Sequence, residues 1–118
     1  MDDENLALAA VARAVHSLSV PEKRLLRLAL EGAPGRRITP SEYGARFGLS
    51  QGPAAADLRT AADGLFDATV KFPGSRPGSY EMRRLLTACD QKGPGSVRLS
   101  IASVVRELLV RIPEYLEE

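Results

Sequence analysis

Between Thr39 and Ser50 the chain reads Thr39-Pro40-Ser41-Glu42-Tyr43-Gly44-Ala45-Arg46-Phe47-Gly48-Leu49-Ser50, and no other stretch restricts the fold so tightly. Thr39 or Ser41 can cap a short helix carrying Tyr43, Ala45 and Phe47, and Gly48 can take the left-handed conformation that ends it. Ser50 then caps a longer helix predicted over residues 51–69. Two capped helices joined by a glycine-bearing turn make a helix-turn-helix. Small Ala45 is expected where the two helices cross, Leu49 in the corner between them, and Leu58, Ala61, Ala62, Leu65 and Phe66 along the buried stripe of the second helix.

The flanks extend this nucleus. Leu6, Leu8, Ala9, Val11, Ala12, Val15 and Leu18 recur at helical spacing, which predicts an amphipathic helix over residues 4–17. Ser19-Val20-Pro21-Glu22 restarts the chain as a capping box, and Leu25, Leu26, Leu28, Ala29 and Leu30 follow on a second helix that Gly32, Pro34 and Gly35 end. Residues 36–39 are then extended. Beyond Val70, the breakers Pro73, Gly74, Pro77 and Gly78 precede two predicted strands, residues 79–88 and 96–101, around a loop at 91–95. Val97, Leu99 and Ile101 alternate with Ser96, Arg98 and Ser100 as a half-buried strand does. Two strands behind a helix-turn-helix form a wing, and a last helix over residues 102–111 carries Val104, Val105, Leu108, Leu109 and Ile112. The expected fold is therefore α+β: one winged-helix domain over residues 1–118, with flanking amino- and carboxy-terminal helices.

Composition narrows the function. A chain of 118 residues buries enough surface for a core without metal or disulfide staples, and Cys89 is its single cysteine. Residues 1–4 are acidic where a signal peptide is basic, and no apolar run reaches the roughly 18 residues of a membrane span, so a soluble cytoplasmic protein is expected. His16 is the only histidine, and no serine or cysteine forms a nucleophile motif with it. Gly93-Pro94-Gly95 follows its lysine and opens no helix, unlike a phosphate loop. The reading is of a non-enzyme with no metal and no cofactor.

The net charge of +1 conceals local bias. Residues 21–40 hold five cations against two acids, and residues 81–100 hold four against two. The second helix of the motif begins Gln51, Gly52, Pro53, Ala54, Ala55, Ala56, with Gln51 the only good reader of base edges before Arg59. Arg36, Arg37, Arg83, Arg84, Lys92 and Arg98 suit phosphates, which need positive charge but no code. The candidate contacts to double-stranded DNA are thus Arg36, Arg37, Gln51, Arg59, Arg83, Arg84, Lys92 and Arg98. Against this stand a helix-turn-helix used only for packing and basic side chains that merely solvate a polar face.

Leu18-Ser19-Val20-Pro21-Glu22-Lys23-Arg24-Leu25-Leu26-Arg27-Leu28-Ala29-Leu30, Ile38-Thr39-Pro40-Ser41-Glu42-Tyr43 and Phe47-Gly48-Leu49-Ser50 together resemble the plasmid replication initiators of iteron-controlled theta replication. Leu58-Arg59-Thr60-Ala61-Ala62-Asp63-Gly64-Leu65-Phe66 and Val97-Arg98-Leu99-Ser100-Ile101, leading to Val105-Arg106-Glu107-Leu108-Leu109, extend the likeness over residues 14–116. The resemblance implies two winged-helix domains in such proteins, the second reading the iteron and the first dimerising and touching phosphates. This chain has the length of the first. The resemblance also implies a dimer that dissociates to act at the origin.

Val104, Val105, Leu108, Leu109, Ile112, Tyr115 and Leu116 crowd the last fifteen residues, more than one helix stripe is expected to bury in so small a domain. Val105, Leu108, Leu109 and Ile112 are the expected homodimer interface, with the wing edge as a second surface. Two other readings remain open at this level: a small regulator that reads an operator, and a protein-interaction module.

Overall fold

A computed structural model describes residues 3–92 and 95–112 of the chain. α1 (Asp3–His16) turns Ala10, Val11 and Val15 inward, and His16 is exposed. α2 (Val20–Leu30) opens with the capping box: the Ser19 hydroxyl accepts the Glu22 N–H at 3.3 Å, and the Glu22 carboxylate accepts the Ser19 N–H at 2.9 Å. Leu25, Leu26, Leu28 and Ala29 face the core. After β1 (Arg37–Ile38) come α3 (Pro40–Phe47) and α4 (Gln51–Asp67), which form the helix-turn-helix. Leu58, Ala61, Ala62 and Leu65 are fully buried on α4, which packs against both α2 and α3.

The second half departs from expectation in its strands. The chain leaves α4 two residues early, because Ala68 is extended and β-branched Thr69 and Val70 begin β2 (Thr69–Pro73). β2 pairs antiparallel with β3 (Tyr80–Arg84) in a separate two-stranded sheet, and α1 packs on β2. The run 79–88, read from sequence as one strand, is two: Leu85 lies between β3 and β4 (Leu86–Lys92). Leu85 is wholly buried, its N–H donates to the Ala68 carbonyl at 3.2 Å, and its own carbonyl accepts the Ala102 N–H at 3.0 Å. Those bonds carry the chain from one sheet to the other. β4 and β1 flank β5 (Ser96–Ile101) in a three-stranded sheet of order β1-β5-β4, and α5 (Ser103–Leu109) closes against α1.

The inner face of that sheet, Ile38, Val97 and Leu99, joins the α4 stripe in the core, which holds no buried polar or charged residue among those described. Phe66, expected inside, is 38% exposed: its position on α4 faces Arg84 of β3, whose guanidinium covers the ring at 4.8 Å. Leu30 and Leu49 pack against the core half-buried. Among the described residues no helix is long and apolar enough to cross a membrane.

Candidate nucleic-acid interface

Thr39 caps α3, its hydroxyl accepting the Glu42 N–H at 3.1 Å, and Gly48 ends it at φ +72°. The Leu49 N–H then returns to the Gly44 carbonyl at 2.9 Å. Gly44, not Ala45, sets the crossing with α4. A Cβ at position 44 would overlap the Leu49 carbonyl oxygen and meet the Ala54 methyl at 3.4 Å, whereas Ala45 is exposed. Tyr43 is fully buried, and its hydroxyl donates to the Asp57 carboxylate at 3.5 Å; burial first, then the Asp57 charge, pushes the phenol up from its ordinary value. Phe47 lies beneath the Arg24 and Arg46 guanidiniums at 5.0 and 5.9 Å. The two helices are therefore fixed by sterics at Gly44 and by polar contacts at Tyr43.

The outer surface at the start of α4 carries little that reads bases. Gln51, Gly52, Pro53 and Ala56 are exposed, and Ser50 occupies the cap position without a side-chain cap bond. The turn into β5 packs on this helix: a Cβ on Gly95 would lie 3.2 Å from the Ala55 methyl and 3.3 Å from the Pro40 ring. Gln51 is the one long polar side chain of the first turn, and Arg59 is exposed further along.

The basic candidates separate by their bonds. All three Arg36 nitrogens are engaged internally: with the Glu31 carbonyl at 2.9 Å, the Leu28 carbonyl at 2.7 Å and the Glu42 carboxylate at 2.6 Å. Two of them bond carbonyls at and just beyond the end of α2, the Leu28 carbonyl also accepting the Glu31 N–H at 3.2 Å. Arg37 meets the Asp90 carboxylate at 2.6 Å and the Ser96 hydroxyl at 3.2 Å on the outer face of the three-stranded sheet. Arg98 stands in register with both Arg37 and Asp90 and is exposed, with no ion pair among the described residues. Arg83 pairs with Glu81 at 2.9 Å, and Arg84 covers Phe66. Lys92 ends β4 opposite Ser96, and its side chain lies outside the described ones. Glu31 closes a two-pronged pair with Arg46, both contacts at 2.7 Å, and that bonding holds its carboxyl below the usual carboxylate range.

No family model and no curated protein sequence matches the chain. Among solved structures, it is similar to the WH1 domain of MSBI1.176, a replication protein isolated from a multiple sclerosis patient: TM-score 0.84 at 21% identity, over 99% of each chain. The chain has the winged-helix fold.

In this winged helix the wing is the β4–β5 hairpin, which carries Lys92 and Arg98. Arg83 and Arg84, read from sequence as wing residues, belong instead to the β2–β3 hairpin, because the chain changes sheets at Leu85. The four side chains expected at a dimer face sit in the domain's own core. Val105 and Leu109 are wholly buried and Leu108 and Ile112 nearly so, because α5 lays its entire stripe against the domain's own core and turns Val104 and Val110 outward. Tyr115 and Leu116 lie outside the described residues. Cys89 is half-buried on β4, and burial raises its thiol pKa. The described residues bring together no group of His, Cys, Asp and Glu able to hold a metal.

Proposed function

We propose that the chain is the amino-terminal winged-helix domain of a plasmid replication initiator, a non-catalytic cytoplasmic module that self-associates and grips duplex DNA by its backbone. The observation carrying this reading is the end-to-end likeness to the WH1 domain of a replication protein, which takes in α1 and the β2–β3 hairpin as well as the helix-turn-helix and wing. The reader-poor start of α4 supports backbone contact over base reading.

Arg59, Arg98 and Gln51 are the exposed contacts, with Lys92 at the wing and Arg83 and Arg84 extending the basic surface. Arg37 shares its charge with Asp90, and Arg36 serves by fixing the loop before β1. Self-association uses a strand edge. β3 pairs on one side only and all its residues are exposed, so a second copy can add there, and dissociation of the pair frees the domain for the origin. Duplex affinity measured from 50 to 200 mM salt tests the backbone grip. Each of Arg59→Ala and Arg98→Ala should flatten the log affinity against log salt slope by about 0.9. Slopes identical to wild type in both variants would overturn this assignment.

A further inference from the structure

A trough runs between α1 and the β2–β3 hairpin, away from the helix-turn-helix contacts described above. One part of it has a volume of about 430 Å³ and is lined by Leu6, Ala10 and Arg13 of α1, Lys71 of β2, and Arg76 and Tyr80 of the hairpin. A second hollow of about 280 Å³ continues it along Arg13, Ala14 and Ser17 to Thr69, Lys71 and Met82. From Leu6 to Ser17 the trough follows α1 for roughly 16 Å, at 1.5 Å per residue.

The alternation of the hairpin sorts its charges. Thr69, Lys71 and Pro73 pair with Arg84, Met82 and Tyr80, so these six share one face, the one that lines the trough. Glu81 is the only acid of the hairpin; it pairs with Phe72, lies on the other face and is bound to Arg83. Among the described residues the lining therefore contains no carboxylate, and Arg13, Lys71 and Arg76 have no ion pair there. Arg76 is presented by a fixed turn: the Ser79 hydroxyl donates to the Arg76 carbonyl at 2.6 Å and accepts its N–H at 3.1 Å. Beside these cations, Tyr80 and Met82 are 58% and 59% exposed, and the Lys71 ammonium sits 4.1 Å from the Tyr80 ring centre.

We propose that this trough binds single-stranded nucleic acid, with Arg13, Lys71 and Arg76 on successive phosphates and Tyr80 and Met82 against unstacked bases. A row of cations alone would suit any polyanion. The exposed aromatic and thioether beside it match a strand whose bases are free, since a duplex keeps its base faces stacked inside. The site goes beyond the duplex grip and shares none of the residues assigned to it.

The test is fluorescence anisotropy of labelled oligo-dT and of a random duplex, with the intact chain, the triple variant Arg13→Ala/Lys71→Ala/Arg76→Ala, and Tyr80→Ala. All four positions are exposed, and far-UV circular dichroism checks that each variant folds. The triple variant should bind oligo-dT at least about tenfold more weakly, with a salt slope shallower by about 2, while duplex affinity stays at wild type. Tyr80→Ala should lose about fivefold or more for oligo-dT only. Oligo-dT binding unchanged in the triple variant, or no oligo-dT binding by the intact chain, would overturn the proposal. So would equal losses for strand and duplex, or displacement of oligo-dT by pyrophosphate at matched phosphate concentration, which would mark a plain anion pocket. Failure of the duplex grip would instead appear as unchanged salt slopes in the Arg59 and Arg98 variants, so the two assignments fail separately.

Discussion

Gly44 and Gly52 make opposite demands on a methyl group. At position 44 a Cβ would overlap the Leu49 carbonyl, so Gly44→Ala should destabilise by about 1–3 kcal/mol in urea unfolding. At position 52, in the first turn of α4, a Cβ meets nothing beyond its chain neighbours, but the Pro53 ring that follows offsets the helical gain, so Gly52→Ala should change stability by less than about 1 kcal/mol. Equal shifts would show that the α3–α4 crossing is looser than described. Glu31 gives a pH signature. Its carboxyl titrates below its unfolded value because of Arg46, so the pair's contribution is present above the ordinary carboxylate range and is lost as pH falls through the depressed folded value. Melting midpoints of Glu31→Gln should therefore depend less on pH in that acidic window than those of wild type. At this scale the sequence shows demands that are local. The left-handed turn at Gly48 and the Ser19–Glu22 capping box depend only on near neighbours. Which small residue lies under the crossing depends on the phase of α3 against α4, and that placed Gly44 where spacing alone suggested Ala45.

Elements were legible where one face is apolar and the other polar. α1, α2, α4 and β5 follow their periodicity, and Leu58 and Leu65 are buried as their spacing requires. Leu65→Ala should cost roughly 2–5 kcal/mol, against little change for exposed Gln51→Ala. β2 was hidden because Thr69 and Val70 continue the helical pattern of α4, and only the extended Ala68 breaks it. The α5 stripe was legible but its partner was not: sequence counts apolar residues, whereas the packing of α1 and the sheets decides that the domain itself can cover them. Leu109→Glu should consequently unfold the domain, seen as loss of the cooperative melt, while Val110→Glu on the outer side should melt like wild type. A folded monomeric Leu109→Glu protein would restore α5 as the dimer face.

For the molecule as a whole, charge is nearly balanced and several candidate cations are tied into the fold: Arg36 by the end of α2, Arg37 by Asp90 and Arg83 by Glu81. The basic segments were legible, but their bonding was not, because Asp90 reaches Arg37 only once β1, β5 and β4 are in register. Light scattering across micromolar concentrations should show a dimer that Leu109→Ala, if folded, leaves intact, since that side chain is internal. A mass of one chain throughout would remove self-association from the proposal. The central claim is that this helix-turn-helix grips backbone and does not read bases. Titrating the chain, at physiological salt, against a random duplex pool and against the sequences that repeated selection enriches from it tests that claim most directly. The account predicts a Kd of about 10⁻⁴ to 10⁻⁶ M for both, with no enriched sequence standing apart; nanomolar binding to one selected site would contradict it.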